Sequence, residues 1–335
     1  MNKTNLKKKA LYVVLTAATV MLAACGGGGG SSSTAAPSTP TPTPATTQTA
    51  TSADVATPQY AATSAQLAIF NTINADRQQC GFPALTENTT LDTSAQNHAI
   101  YMIDNAFAAT DTEVSGNPGF TGITYVDRAV AVGYPSSATT AGTFGGSAGG
   151  SGPLTPAQFG LDVEANAWVS GIYHTGVIFN SGSIVGIGED EASANGTINS
   201  NAAIFVVHDT ATLANAPLTF PCQGVTGVPF DGLAESPTAP NVSASGWGTP
   251  ILVEGNLTDT IVLATGTITG PSGVTNLQLL DSANDPNHVL QSFNAVAYPS
   301  SPLQANTTYT VSITGTDNGT AFSRNFSFTT GSSQG

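Results

Sequence analysis

The sequence predicts an α+β fold, an α-β-α sandwich, followed by an all-β antiparallel sandwich. Between residues 63 and 222, apolar residues recur first at helical and then at strand spacing, and helices followed by a strand pair are typical of α+β layers. From residue 241 onwards, short alternating stretches are separated by Gly, Pro, Asn and Asp. That pattern is typical of antiparallel sandwiches.

Residues 1–24 are typical of a secretion signal. A basic stretch, Lys3 to Lys9, precedes an apolar run from Ala10 to Ala24, which is shorter than the ~20 residues that a membrane-spanning helix needs. The run ends in Leu22-Ala23-Ala24-Cys25, which resembles the lipobox of bacterial lipoproteins. The resemblance implies that Cys25 is acylated, with chains such as palmitate, and anchors a secreted protein to the membrane. Gly26 in place of an aspartate favours the outer membrane or the cell surface.

The remaining chain divides by composition. Residues 25–62, rich in Gly, Ser, Thr and Pro, are predicted to be a disordered tether, because they contain no packable apolar face. Residues 63–222 are predicted to form the first domain, 223–240 a Gly/Pro-rich linker, and 241–335 the second domain.

Periodicity predicts the elements of the first domain. We expect three helices followed by two strands joined across a polar turn at 189–201. The loop Pro135–Thr155 is almost entirely Gly, Ser, Thr and Ala and is predicted to be irregular. The predicted helices are Thr63–Gln79, Thr89–Phe107 and Pro156–Ser170, and the predicted strands are Ser183–Gly188 and Ala202–His208.

Six strands are predicted in the second domain, and no catalytic pattern accompanies them. Its last hairpin, PLQANTTYTVSITGTDNGTAFSRNFSFTTG, resembles bacterial Ig-like domains, which implies an Ig-like β-sandwich that acts as a spacer or adhesion unit. The predicted strands are Pro250–Glu254, Ile261–Thr269, Asn276–Leu280, Asn294–Tyr298, Thr308–Thr314 and Ala321–Thr329.

The charge distribution excludes two classes of partner. The chain has 7 basic and 21 acidic residues, and after residue 9 only Arg77, Arg128 and Arg324 are basic. Three arginines cannot neutralise a run of phosphates. We therefore expect neither nucleic-acid binding nor electrostatic attachment to anionic lipid.

The two remaining cysteines, Cys80 and Cys222, are predicted to form a disulfide, because an exported protein folds in an oxidising compartment. Redox catalysis is the alternative, but the sequence contains no CxxC motif.

Four segments in the first domain resemble the CAP superfamily of cysteine-rich secretory, antigen 5 and pathogenesis-related proteins. The first is QLAIFNTINADRQQCGFPALTENTTLDTSAQNHAIYM, which ends on the helix that carries His98. The second pairs Arg128 with Gly133-Tyr134, the third is AWVSGIYHTGVIF, and the fourth is the IVGIG strand. The resemblance implies a CAP-like α-β-α sandwich whose cleft contains His98, Trp168, Ser170 and His174.

The cleft departs from the family pattern. Members with an intact cleft use two histidines and two glutamates, a set suited to a divalent metal. His174 matches the second histidine, but Ala109 stands near the position of the first. The loop TFGGSAGGSG contains no acid, and Ser170 replaces the other glutamate. Since zinc needs three or four protein ligands, we expect no metal or other cofactor; zinc is the alternative.

The candidate catalytic residues are His174, His98 and Glu164. If the two histidines converge, Glu164 or Asp162 could complete a weak site. No G-x-S-x-G motif surrounds any serine, which argues against a local hydrolase elbow without excluding a dispersed triad.

The sequence therefore favours a non-enzymatic role: an anchored envelope protein that binds a lipid, a sterol or a protein partner. A hydrolase that acts on peptide or envelope polymer through His174 is one alternative. A surface spacer or adhesin is the other.

Overall fold

The computed structural model describes residues 53–139, 143–207 and 212–332. The signal peptide, Cys25 and most of the tether lie outside these ranges, so the predictions about them stay predictions. Residues 45–335 form one compact unit by their contacts, and this unit contains the whole buried core of the described residues. A chain that begins at residue 45 is therefore expected to fold on its own.

The described residues combine helices with sheets that are antiparallel except at two parallel strand pairs, in a mixed α/β arrangement. The helices are α1 (Ala65–Gln79), α2 (Thr89–Asp104), α3 (Tyr125–Ala131), α4 (Pro156–Val163) and α5 (Thr175–Ile178), with a π-helical segment at Glu164–Val169. The strands are β1 (Asp54–Val55), β2 (Thr86–Asn88), β3 (Thr143–Ser151), β4 (Ile184–Ala194), β5 (Thr197–Val207), β6 (Leu218–Phe220), β7 (Thr226–Val228), β8 (Ile251–Glu254), β9 (Ile261–Gly270), β10 (Gly273–Asn276), β11 (Gln278–Asp281), β12 (Asn294–Tyr298), β13 (Thr308–Asp317) and β14 (Thr320–Thr330).

The three predicted helices are present, and each has one end that differs from the prediction. The α1 helix begins after Ser64, whose hydroxyl accepts from the backbone of Leu67, so the cap lies one residue after the expected Thr63. The α2 helix ends at Asp104, because Ala106 and Phe107 adopt positive φ values of 71° and 61°. The third predicted helix changes to π-helical hydrogen bonding from Glu164 onwards.

The first sheet has the order β1-β2-β4-β5-β3 and corrects two predictions. The expected loop Pro135–Thr155 contains β3, an edge strand that pairs antiparallel with β5. The expected turn at 189–201 is also mostly strand, because β4 and β5 pair as far as Ala194 and Thr197. Only Asn195-Gly196 forms the turn, with φ values of 53° and 79°. Positive φ at both positions is the signature of the Asn-Gly hairpin turn.

Helix α2 packs directly on β4. A Cβ at Gly188 would lie 2.1 Å from the backbone nitrogen of Gln96, and one at Gly186 would lie 2.2 Å from the carbonyl carbon of Leu91. Only glycine allows this approach of helix to strand. It fixes the height of α2, and hence of His98, above the sheet.

The β-rich region runs from β6 to β14, residues 218–330. It contains two further sheets, ordered β10-β9-β13-β14-β7 and β11-β12-β8-β6. All six strands predicted from residue 250 onwards are present. The predicted linker 223–240 is structured, because β7 within it pairs with β14. The β6 strand likewise pairs with β8. The domain boundaries and the Ig-like sandwich topology stay predictions.

The predicted disulfide is confirmed. Cys80 caps α1 and Cys222 follows β6, with their Cα atoms 5.5 Å apart. The bridge joins residues 142 positions apart. Beside it, the rings of Phe179 and Phe220 stack at 3.6 Å. The bridge and this aromatic contact therefore tie the first sheet region to the β-rich region.

Candidate functional site

The edge strand β3 is the centre of the candidate site. Successive residues of a strand face opposite sides, and glycines on β3 leave room on both. A Cβ at Gly145 would lie 2.2 Å from the ring of Tyr125, whereas one at Gly146 would lie 3.0 Å from Trp168 Nε1 and 3.3 Å from His174 Cδ2. The glycine-rich composition that concealed this strand is thus what admits the aromatic side chains.

His98 lies on one face of β3 and is fully buried. Its Nδ1 is 2.9 Å from Glu113 Oε1, and its Nε2 is 2.7 Å from the carbonyl oxygen of Thr110 and 3.2 Å from Ser147 Oγ. Both ring nitrogens therefore have partners. His98 ties the loop after α2 to the edge strand.

Glu113 is buried and organises the same loop. Its carboxylate accepts from the backbone of Thr121 at 2.5 Å and of Gly122 at 3.1 Å, and it lies 3.8 Å from Arg128 Nε. Burial raises the pKa of Glu113, but the hydrogen bonds from His98 and from these amides, with the charge of Arg128, outweigh burial and lower the pKa. Glu113 is thus a charged structural anchor.

His174 lies on the opposite face and is held by Glu235. The Nδ1 of His174 is 2.8 Å from Glu235 Oε1, and the same carboxylate accepts from the backbone nitrogens of Ile172, Tyr173 and His174 at 2.8–2.9 Å. Burial lowers the pKa of His174, but the hydrogen bond and charge of Glu235, with the charge of Asp111, outweigh burial and raise it.

Asp111 lies between the two faces. Its Oδ1 accepts from the Tyr125 hydroxyl at 2.6 Å, and its Oδ2 is 4.0 Å from His174 Nε2. The Tyr125 hydroxyl is also 3.0 Å from Ser147 Oγ. Burial and the charge of Asp111 raise the pKa of Tyr125, which keeps the phenol protonated. With 41% of its side chain exposed, Asp111 is the accessible member of the network.

The structure separates the two histidines. His98 contacts the Ser147 side of β3 and His174 the Gly146 side, and Tyr125 and Asp111 connect the two sides. Trp168 and Ser170 lie with His174: Trp168 is fully buried, with no partner for its Nε1 among the described residues. The carbonyl of Ser170 accepts from Trp247 Nε1 at 2.8 Å.

Glu164 has Asp76, and neither histidine, as its charged neighbour. It is buried at the start of the π-helical segment, and burial together with the charge of Asp76 raises its pKa to about 8. Its Oε1 has no hydrogen-bond partner among the described residues. The charge that acts on it comes from α1 and not from a histidine, and Asp162 is exposed.

The donor set does not fit the metal that the fold family implies. Among the described residues, no group of three or more His, Cys, Asp or Glu side chains could hold a metal ion. Both nitrogens of His98 are engaged, and His98 and His174 lie on opposite faces of the strand. The expectation of no cofactor stays a prediction.

Sequence reasoning missed Asp111, Glu113 and Glu235. The first two lie in a turn-rich loop without periodicity, and Glu235 lies in the predicted linker. No local pattern connects Glu235 with His174, since the two residues are 61 positions apart.

Comparison with known proteins identifies the family of one segment of the chain. Residues 70–178 match CAP, the cysteine-rich secretory protein family, and include α2, β3 and His174. The chain therefore contains a domain of the CAP superfamily. No match to the chain is found among curated proteins.

Proposed function

We propose that this chain is an exported, lipid-anchored envelope protein whose CAP domain binds a lipid, a sterol or a protein partner without catalysing a reaction. One observation carries the proposal: each histidine that the resemblance places in the cleft has its Nδ1 bound by a glutamate from outside the family motifs. His98 then holds the loop after α2 in place. His174 holds the contact between Glu235 and the backbone before α5. Binding needs only the rigid surfaces that they support.

The anchor is tested by labelling. The full chain, expressed with radioactive palmitate in a bacterium that processes lipoproteins, is expected to carry label at Cys25. Cys25→Ala should lose the label, whereas Cys222→Ala should keep it. Label in Cys25→Ala would contradict the proposed anchor.

Binding is tested by native mass spectrometry of the chain from residue 45. After incubation with bacterial lipid extract or with cholesterol, we expect added mass that is lost on denaturation. Detection of the polypeptide without added mass in every case would contradict binding of a lipid or a sterol. Retention of a defined envelope protein on the immobilised chain would then support the protein-partner reading, and no retention would favour a spacer or adhesin.

A hydrolase is the second candidate, and a separate observation favours it. Glu235 orients His174 through Nδ1 while Nε2 faces the half-exposed Asp111 at 4.0 Å. A histidine that one carboxylate orients through Nδ1 can act as a general base through its other nitrogen. Its substrate would be a peptide or envelope polymer that reaches Asp111 at the edge of β3.

A further inference from the structure

The loop between α2 and α3 exposes an apolar surface. Val114, Phe120 and Ile123 are 60%, 36% and 54% exposed. They belong to the stretch VSGNPGFTGI at residues 114–123, named here the apolar loop, which contains no charged residue. Large apolar side chains gathered on a surface commonly mark a binding site.

The apolar loop is fixed in place from beneath. The backbone nitrogen of Val114 donates to the Tyr101 hydroxyl at 2.9 Å, and Asn105 Nδ2 donates to the carbonyl oxygen of Pro118 at 3.0 Å. The buried carboxylate of Glu113 binds the backbone of Thr121 and Gly122. The loop therefore holds its apolar side chains outward, and their exposure does not come from disorder of the segment.

We propose that the apolar loop inserts into the surface of a lipid bilayer; this inference rests on the proposed lipid anchor. The charge distribution indicates how the loop attaches. The loop is uncharged, and Arg77 and Arg128 are fully buried, so attachment proceeds by apolar burial into a zwitterionic lipid surface and not by attraction to anionic headgroups.

The chain outside the described residues permits this contact. The first described residue, Ala53, accepts from the backbone of Thr89 at the start of α2, whereas the apolar loop packs near the other end of that helix. The 16 residues of α2 span roughly 24 Å. The chain from Cys25 to Ala53 could extend about 90 Å, so an anchored protein reaches the bilayer with the loop.

An environment-sensitive label on the apolar loop tests the proposal. In the chain from residue 45, both native cysteines form the disulfide, so Ile123→Cys carries a single nitrobenzoxadiazole label. Val274→Cys, at a 67% exposed valine on β10, is the matched control. With phosphatidylcholine vesicles, we expect a severalfold, blue-shifted rise in emission at position 123 that persists in high salt, and none at position 274.

A second pair of variants keeps the test independent of the label. Phe120→Asp should abolish co-flotation of the unlabelled chain with the vesicles. Val262→Asp, at a 43% exposed valine on β9, should not change it. No response at position 123, or an equal response at position 274, would overturn the proposal. A concentration-dependent response without vesicles would assign the surface to a second copy of the chain and overturn it as well.

Failure of this inference differs from failure of the proposed function. If Cys25 is labelled by palmitate but the apolar loop does not respond, only the loop proposal fails. If emission from position 123 rises with vesicles while Cys25 carries no palmitate, the proposed lipid anchor is contradicted and the proposed insertion of the apolar loop is supported.

Discussion

Glu235 Oε1 binds His174 Nδ1 at 2.8 Å, although the two residues are 61 positions apart. The matched CAP segment ends at residue 178, so the carboxylate that orients its last histidine comes from the chain beyond Cys222. Because the same carboxylate also binds three backbone amides before α5, the geometry around His174 depends on the β-rich region being folded.

Glu235→Gln is expected to lower the pKa of His174. Since the folded pKa of His174 is raised, its contribution to stability is fully present below the unfolded pKa of about 6.5 and is lost as pH rises through the folded pKa. The variant should therefore lose stability mainly at acidic pH. Titration of the His174 ring by nuclear magnetic resonance, with unfolding measured at each pH, checks both effects.

Glu191→Gln is the control for that prediction, because Glu191 is exposed on β4. An unchanged titration of His174 in Glu235→Gln would contradict the hydrogen bond as the cause of the raised pKa.

Glu113→Ala should destabilise the protein by about 3–5 kcal/mol, because it leaves Arg128 and His98 buried without their carboxylate. Urea unfolding measures the loss, and limited proteolysis should show cleavage within residues 105–124. Glu191→Ala should change the stability by less than about 0.5 kcal/mol. Equal stability of the two variants would show that Glu113 does not anchor this loop.

Gly145→Ala should destabilise the protein by about 1–3 kcal/mol, since the new Cβ would overlap the Tyr125 ring at 2.2 Å. Gly149→Ala on the same strand is the matched control. Its nearest neighbour would be the amide nitrogen of the Asn201 side chain at 2.9 Å, a wider approach than the 2.2 Å at Gly145. Thermal unfolding compares the two variants, and a smaller loss in Gly145→Ala than in the control would refute the packing assigned to β3.

Glu164→Gln should raise stability at pH 8 and change it little at pH 4. The folded pKa of Glu164 is raised to about 8, so its contribution is fully present below the unfolded pKa and is lost as pH rises towards the folded value. The gain at pH 8 should be of order a few kcal/mol. Urea unfolding across this range measures it; a constant difference between wild type and variant would contradict the burial of an acidic group.

Periodicity and turn chemistry predicted the three longest helices and six strands of the β-rich region, because side-chain spacing records which face is buried. They missed the short elements α3, α5, β6, β7 and β10. The same reasoning missed β3, since glycine carries no face preference. It also placed a long turn where acidic residues occupy β4. Asn195-Gly196 carried the hairpin signal that would have located the true turn.

The candidate site was less predictable than the fold. His98, Trp168, Ser170 and His174 could be selected by resemblance, but their separation by β3 follows from strand register. The pairing of Glu235 with His174 depends on tertiary packing over a long stretch of chain, and such pairings leave no spacing in the sequence.

Product analysis tests the central claim most directly. The chain from residue 45, its Glu235→Gln variant and its His174→Ala variant are incubated with bacterial envelope polymer and with a peptide mixture, and mass spectrometry searches for new fragments. The binding account predicts the same fragment pattern for all three proteins and for a protein-free control. Fragments formed by the wild type and lost in both folded variants would contradict it and establish His174 as a hydrolytic base.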